Sequence, residues 1–177
     1  MLSEADAYVM RHDLNALCSG PVDIRALAAL DGFEVWERGE VLARHGVVAL
    51  YVPDHHDRAR PNVIIIDEGL SSGLQRYGIA HELAHFYLRH WPSVVRDGQL
   101  CTCHDPAERN VPFFDYESQQ QELEAAAFAA VVLIPASMMV VDTYEELADA
   151  CDVPLTVAVL RSRMHRQGLG GWRLGAA

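Results

Sequence analysis

Three short stretches between residues 33 and 66 carry a strand pattern, the first by alternation and the other two as apolar, β-branched runs. These are "FEVWE" at 33–37, "VVALYV" at 47–52 and the β-branched run "VIII" at 63–66. Alternation with a period of two, or a short apolar run rich in branched residues, predicts strands. The last two are separated by a polar loop, "PDHHDRARPN", and the three together predict a sheet, mostly antiparallel, with one face on the core. Helical spacing dominates elsewhere. Residues 3 to about 17 read as one helix, stopped near "CSGP", and Pro21 opens a second, "PVDIRALAALDG", ending at Gly32. A helix capped by Ser71 or Ser72 runs toward Pro92, and "ESQQQELEAAAFAAVVLI" forms another that ends at Pro135. The tail, "TYEELADACDVPLTVAVLRSRMHRQG", reads as helix, turn at Asp152-Val153-Pro154, and helix. Between the two long helices lie residues 93 to 116, a loop long enough to suggest a functional role.

The expected fold is therefore α+β. It has N-terminal helices, a three-stranded, mostly antiparallel sheet, two long helices and a helical tail. The expected organisation is a main domain over 1–141, with a helix-turn-helix-like segment over 142–177 packed on it. Composition agrees: 177 residues, half of them hydrophobic, suffice for one well-cored domain. The uncharged run from Ala125 to Val141 is Ala-rich, broken by Pro135 and short of the roughly 20 residues a bilayer needs, so it reads as a buried core helix. The acidic N-terminus has no apolar core of the kind a secretory signal carries. Cys18, Cys101, Cys103 and Cys151 show no disulfide-framework spacing, and reduced thiols in a cytoplasm are expected. A net charge of −11 argues against nucleic acid as a direct partner. The charges of the tail nearly cancel, with Arg161, Arg163, Arg166 and Arg173 against Asp142, Glu145, Glu146, Asp149 and Asp152.

The chemistry concentrates in "QRYGIAHELAHFYLRH", residues 75–90. On a helix, positions i and i+4 share a face, so His81 and His85 can aim both imidazoles at one point. Glu82 stands about 100° round the helix, placed to reach a water on a metal rather than the metal itself. This is the logic of His-Glu-x-x-His: the ion acidifies its water and the carboxylate moves the proton. The pentapeptide alone is a common chance pattern, and a catalytic zinc needs a third protein ligand. Glu122 and Glu124 are the candidates. Glu124 is favoured, because it opens an apolar stretch with no further charge until Asp142, and a carboxylate buried there needs a partner. Glu122 adjoins the polar run "SQQQ" and is expected to reach solvent more easily.

The stretches "PVDIRALAALDGFEV", "RYGIAHELAHFYLRH" and "ELEAAAFAAVVLIP" occur in that order and resemble the ImmA/IrrE family of metallopeptidases from about residue 20 to 140. The resemblance implies a zincin-like fold, a gluzincin-type site with His81, His85 and Glu124 on Zn²⁺, and Glu82 as general base. Pro135 matches the closing proline of the family pattern, whereas the family's frequent Asn is Ala126 here. The function implied is a zinc endopeptidase that cuts a helix-turn-helix repressor and releases the genes it silences. Two alternatives stand beside it: a metal-bearing anti-repressor that captures its partner without cutting, and a hydrolase of non-peptide amides. The substrate backbone is expected to add as a strand to the sheet edge near the metal, supplied by Val63–Ile66 or by Val47–Val52.

Tyr77, Tyr87, Tyr116, His90 and His104 are all candidates to stabilise an oxyanion, and the sequence does not choose among them. His55 and His56 read as surface residues of a polar loop, and Met138 and Met139 as core filler. Cys101, Cys103 and His104 read as a solvated loop, because Cys-x-Cys-His is not a common structural-zinc spacing. Replacing Cys101 and Cys103 together with Ser is therefore expected to leave zinc content, by elemental analysis of the purified chain, unchanged at about one ion per chain. A fall from two to one, or from one to none, would show that the loop carries ligands.

Overall fold

The computed structural model describes residues 4–17, 20–38, 47–52, 62–90, 102–104 and 116–167, with backbone only at 16, 17, 47, 102–104 and 116–119. In chain order the elements are α1 (Glu4–Arg11), α2 (Leu14–Leu17), α3 (Ile24–Leu30), β1 (Phe33–Glu37), β2 (Val47–Val52), β3 (Asn62–Ile66), α4 (Ser72–Tyr87), β4 (Thr102–His104) and α5 (Tyr116–Leu133). A 3-10 turn (Ala136–Met138), α6 (Tyr144–Cys151) and α7 (Leu155–Arg166) follow. The fold is α+β.

The single N-terminal helix expected from the sequence is two. Asp13 takes a left-handed conformation (φ 50°), which ends α1 one turn early. The next helix begins at Ile24 rather than at Pro21, because Asp23 caps it by accepting the Ala26 N–H at 3.0 Å. Gly32, at φ 83°, supplies the turn from α3 into β1.

The sheet has four strands in the order β1-β3-β2-β4, where three were expected. The β2–β3 and β2–β4 pairs are antiparallel, but β1 joins the far side of β3 in parallel, with Val35 opposite Ile64. The sheet is thus mixed. The fourth strand falls within the long loop at 93–116, where "TCH" is too short to carry an alternating pattern. With β4 beside β2 and β1 beside β3, both β2 and β3 are interior. The expectation that one of them offers a substrate-binding edge is overturned: among the described residues the edges are β1 and β4.

Helix α4 lies between the sheet and α5. It is buried nearly all round, from Tyr77 to His85 without interruption, as befits a central helix with no solvent face. Ser71 is its cap, accepting the Leu74 N–H. On the sheet side the approach depends on Gly78, where a Cβ would stand 2.8 Å from Ala49 Cβ and 2.9 Å from Val48 Cγ1. On the other side α4 meets the apolar part of α5, where Ala125, Ala127, Phe128, Ala129 and Val132 are buried. The N-terminal helices close this layer: Tyr8 packs edge-on against Tyr87 and Phe128, and its hydroxyl donates to Asp31 at 2.8 Å.

The tail shares this core through Leu147, Cys151, Val157 and Met164. Thr143 and Glu146 form a capping box at the start of α6, and Asp152 (φ 49°) makes the turn into α7. Arg161 of α7 is buried and donates from Nε to the Ile134 carbonyl at 2.8 Å, just beyond the C-terminus of α5. Burial holds its guanidinium below the usual arginine range. Among the described residues no helix is long and apolar enough to cross a membrane.

Gly78→Ala is expected to destabilise the protein by about 1–2 kcal/mol in denaturant unfolding. Overpacking against Ala49 and Val48 costs roughly 1–3 kcal/mol. It outweighs the ~1 kcal/mol that Ala gains over Gly in a helix. An unchanged or raised midpoint would show that α4 and β2 can separate without loss.

Candidate metal centre

Residues four apart on α4 divide between its two neighbours. Gly78 and Glu82 face the sheet, and Tyr77, His81 and His85 form a second stripe. His81 and His85 are almost fully buried, with their Nε2 atoms 3.0 Å apart. Glu122, from α5, completes the group: its Oε2 lies 3.0 Å from His81 Nε2 and its Oε1 3.4 Å from His85 Nε2. His81, His85 and Glu122 each offer one ligand atom to a common point, all within 4.8 Å of one another.

This donor set fits a divalent ion. Atoms held about 2.0–2.1 Å from a tetrahedral metal stand roughly 3.3 Å apart. The two imidazole nitrogens, 3.0 Å apart, are near that spacing, and with one oxygen of Glu122 the three ligand atoms lie within 4.8 Å of one another. Two imidazole lone pairs and a carboxylate converging in a buried place also repel one another unless something positive lies between them. Burial, then the neighbouring His81, pushes the His85 pKa down to about 3, so its imidazole is neutral and has a lone pair to give.

The favoured third ligand, Glu124, is not in this group. Its Oε2 lies 3.0 Å from His90 Nε2, and its Oε1 accepts from Gln120 Nε2 at 2.8 Å. In place of a metal, its partners are a histidine and an amide. The premise that Glu122 is the more exposed carboxylate also fails, since its side chain is 28% exposed and that of Glu124 35%. His90, a candidate oxyanion stabiliser by sequence, stands between Glu124 and His85. Its Nδ1 lies 3.2 Å from Nδ1 of His85, on the side of that ring away from the cluster. Burial lowers its pKa, against the opposing pull of Glu124.

Glu82 is fully buried, and its Oε2 accepts the Tyr51 N–H of β2 at 3.0 Å. The carboxylate is thus fixed by backbone, on the sheet side of the helix that carries the histidines. Its charge, after burial, helps to push the Tyr51 hydroxyl up to about 12, and that hydroxyl lies 3.0 Å from Asn62 Oδ1.

The remaining candidates separate by position. Tyr77 is buried with its hydroxyl 3.2 Å from His81 Nδ1, behind the ring rather than beside the cluster. Tyr87 stacks on Phe128 and meets Tyr8, in the layer of the N-terminal helices. The Met138 and Met139 side chains are partly buried against the core, and Cys151 is buried within it. The side chains of Tyr116, Cys103 and His104, and the whole of Cys18, His55, His56 and Cys101, lie outside the described residues.

Glu122→Ala is expected to strip bound divalent metal from the purified chain. Glu124→Ala should still take up about one ion when metal is in excess, since three protein ligands are the minimum for such a site. Elemental analysis after gel filtration decides, and the reverse result would return Glu124 to the ligand set.

No curated protein matches the chain. The family model Peptidase_M78, described as the IrrE N-terminal-like domain, matches residues 47–161. The match begins at β2, so "PVDIRALAALDGFEV" lies before it, and it runs on past Pro135 into α7. It spans both helices of the histidine–glutamate cluster and well over half of the chain, which therefore belongs to the Peptidase_M78 family.

Proposed function

We propose that this protein is a zinc-dependent endopeptidase that cuts an extended segment of a regulatory protein, a helix-turn-helix repressor in the reading we favour. The observation that carries it is the convergence of His81, His85 and Glu122, with a fourth ionisable side chain, Glu82, held one residue from His81 and outside the ligand triangle. A zinc ion held by these three residues would keep a position for water or substrate, and would supply an acidified water and a Lewis acid for a carbonyl.

The protein's own residues do the rest. His81 and His85 give their Nε2 lone pairs, and Glu122 gives a carboxylate oxygen. Glu82 takes a proton from the attacking water and passes it to the leaving amine. Its hydrogen bond from the Tyr51 N–H holds the carboxylate still, so little reorganisation accompanies the transfer. The same bond ties the proton carrier to β2, so the reacting bond and the sheet keep a fixed relation.

An extended peptide is the substrate shape that the sheet suits, because backbone pairing gives affinity without demanding a sequence. Strand β4 pairs with β2 on the side away from β3, and is the edge nearest to β2. The cut is then in a linker or exposed loop of the partner. A cytoplasmic setting and a repressor as partner are part of this proposal and rest on the family resemblance.

Glu82→Gln tests it cleanly, because the amide oxygen can still accept from Tyr51 N–H and the fold is preserved. The variant is expected to keep its zinc and its grip on the partner but to cleave about 10²–10⁴-fold more slowly, the usual contribution of a positioned proton carrier. Mass spectrometry of the partner, after incubation with each zinc-loaded protein, measures both rate and position. Equal cleavage by both proteins would remove Glu82 from the mechanism. Binding without cleavage by the wild type would favour a capturing anti-repressor, and a cut within a stable helix would exclude strand addition.

A further inference from the structure

Helix α4 ends in an unusual way. Arg89 takes the left-handed conformation (φ 56°), a position that glycine usually fills. The Arg89 N–H donates to the Phe86 carbonyl at 3.2 Å and the His90 N–H to the His85 carbonyl at 2.9 Å, which is a Schellman motif. Its effect is to fold His90 back over the last turn. Residues five apart on a continuous helix do not meet, yet the His85 and His90 ring centroids lie 5.3 Å apart. A non-glycine residue in this conformation is strained. The helix end thus accepts strain and sets a buried histidine against one of the metal-site histidines.

The hydrogen-bond chain that results has only one consistent order of protons. A neutral imidazole has one N–H and one lone pair. If His85 gives its Nε2 lone pair to the cluster, its proton is on Nδ1, 3.2 Å from His90 Nδ1. His90 then accepts at Nδ1 and carries its own proton on Nε2, which donates to Glu124 Oε2 at 3.0 Å. Gln120 Nε2 donates to the other oxygen of Glu124 at 2.8 Å, so the carboxylate is held from both sides. Every donor in the series faces an acceptor.

We propose that His90 and Glu124 are positioning residues for the metal centre: through His90 Nδ1 they fix the tautomer and ring orientation of His85, so that its Nε2 faces His81 and Glu122. This rests on the reading of those three residues as the ligand set. It assigns a role to the second carboxylate of α5 and to the histidine that follows the HExxH helix. Partners that bond the far nitrogen of a ligating imidazole typically contribute 10–100-fold to metal affinity.

The experiment measures zinc affinity by chelator competition on the full chain, with thermal unfolding of the metal-free proteins alongside. His90→Leu and Glu124→Ala are expected to weaken zinc about 10–100-fold. His90→Asn, whose side-chain oxygen can accept from His85 Nδ1–H, should recover most of the loss. Histidine ¹⁵N correlation spectra of the zinc-loaded wild type should show His85 protonated at Nδ1 and His90 at Nε2. That measurement decides the matter even where His90→Leu does not fold. Wild-type zinc affinity in His90→Leu and Glu124→Ala, or a His90 protonated at Nδ1, would overturn the proposal. If His81→Ala and Glu122→Ala also bind zinc like the wild type, the ligand set itself is wrong. If they lose it while His90→Leu does not, only the positioning role fails.

Discussion

The close approach of α4 to β2 at Gly78 is the constraint on which the rest of the structure depends. With Val48 and Ala49 filling the space where a side chain would be, the helix lies directly on the strand. One turn on, that proximity lets a carboxylate as short as that of Glu82 reach the Tyr51 N–H. Because the faces of a helix are rigidly related, fixing Glu82 against the sheet also fixes the direction in which His81 and His85 point. They point at α5, where Glu122 waits. A helix rotated or lifted by a small side chain at 78 would disturb both faces together.

Burial then decides what these groups can be. His81 and His85 have lost almost all contact with water, and for His85 desolvation favours the neutral imidazole. A neutral imidazole is a ligand, and a protonated one is not. Outside the cluster, Tyr77 stands behind His81 and His90 behind His85.

The parts of the fold legible in the sequence were those set by local spacing. The i, i+4 relation of His81 and His85, the cap at Ser71 and the β-branched strands all follow from short-range chemistry. What was not legible is tertiary or depends on one backbone angle. The choice between Glu122 and Glu124 turns on the rotation of α5 about its axis relative to α4, which no residue of α5 encodes by itself. His90 was hidden because Arg89 takes a conformation that only a glycine would have advertised. Three residues of β4 carry no alternating pattern, and the parallel pairing of β1 with β3 is a property of the assembled sheet. The apolar setting of Glu124 did signal a buried partner. It could not say whether that partner was an ion or an imidazole.

The division of labour between the two glutamates has an electrostatic logic. Two neutral imidazoles and one carboxylate leave a divalent ion with one unit of positive charge uncompensated. That excess would make such an ion an effective Lewis acid. A second carboxylate ligand would cancel it. Glu124 instead lies behind His90, 3.0 Å from its Nε2, and in the proposed arrangement its charge would strengthen the nitrogen that faces the cluster without neutralising an ion. An acidic chain, with a net charge of −11, has carboxylates to spare. What the site requires is that only one of them comes within bonding distance, and the folded-back end of α4 meets that requirement by putting a histidine between the second carboxylate and the centre.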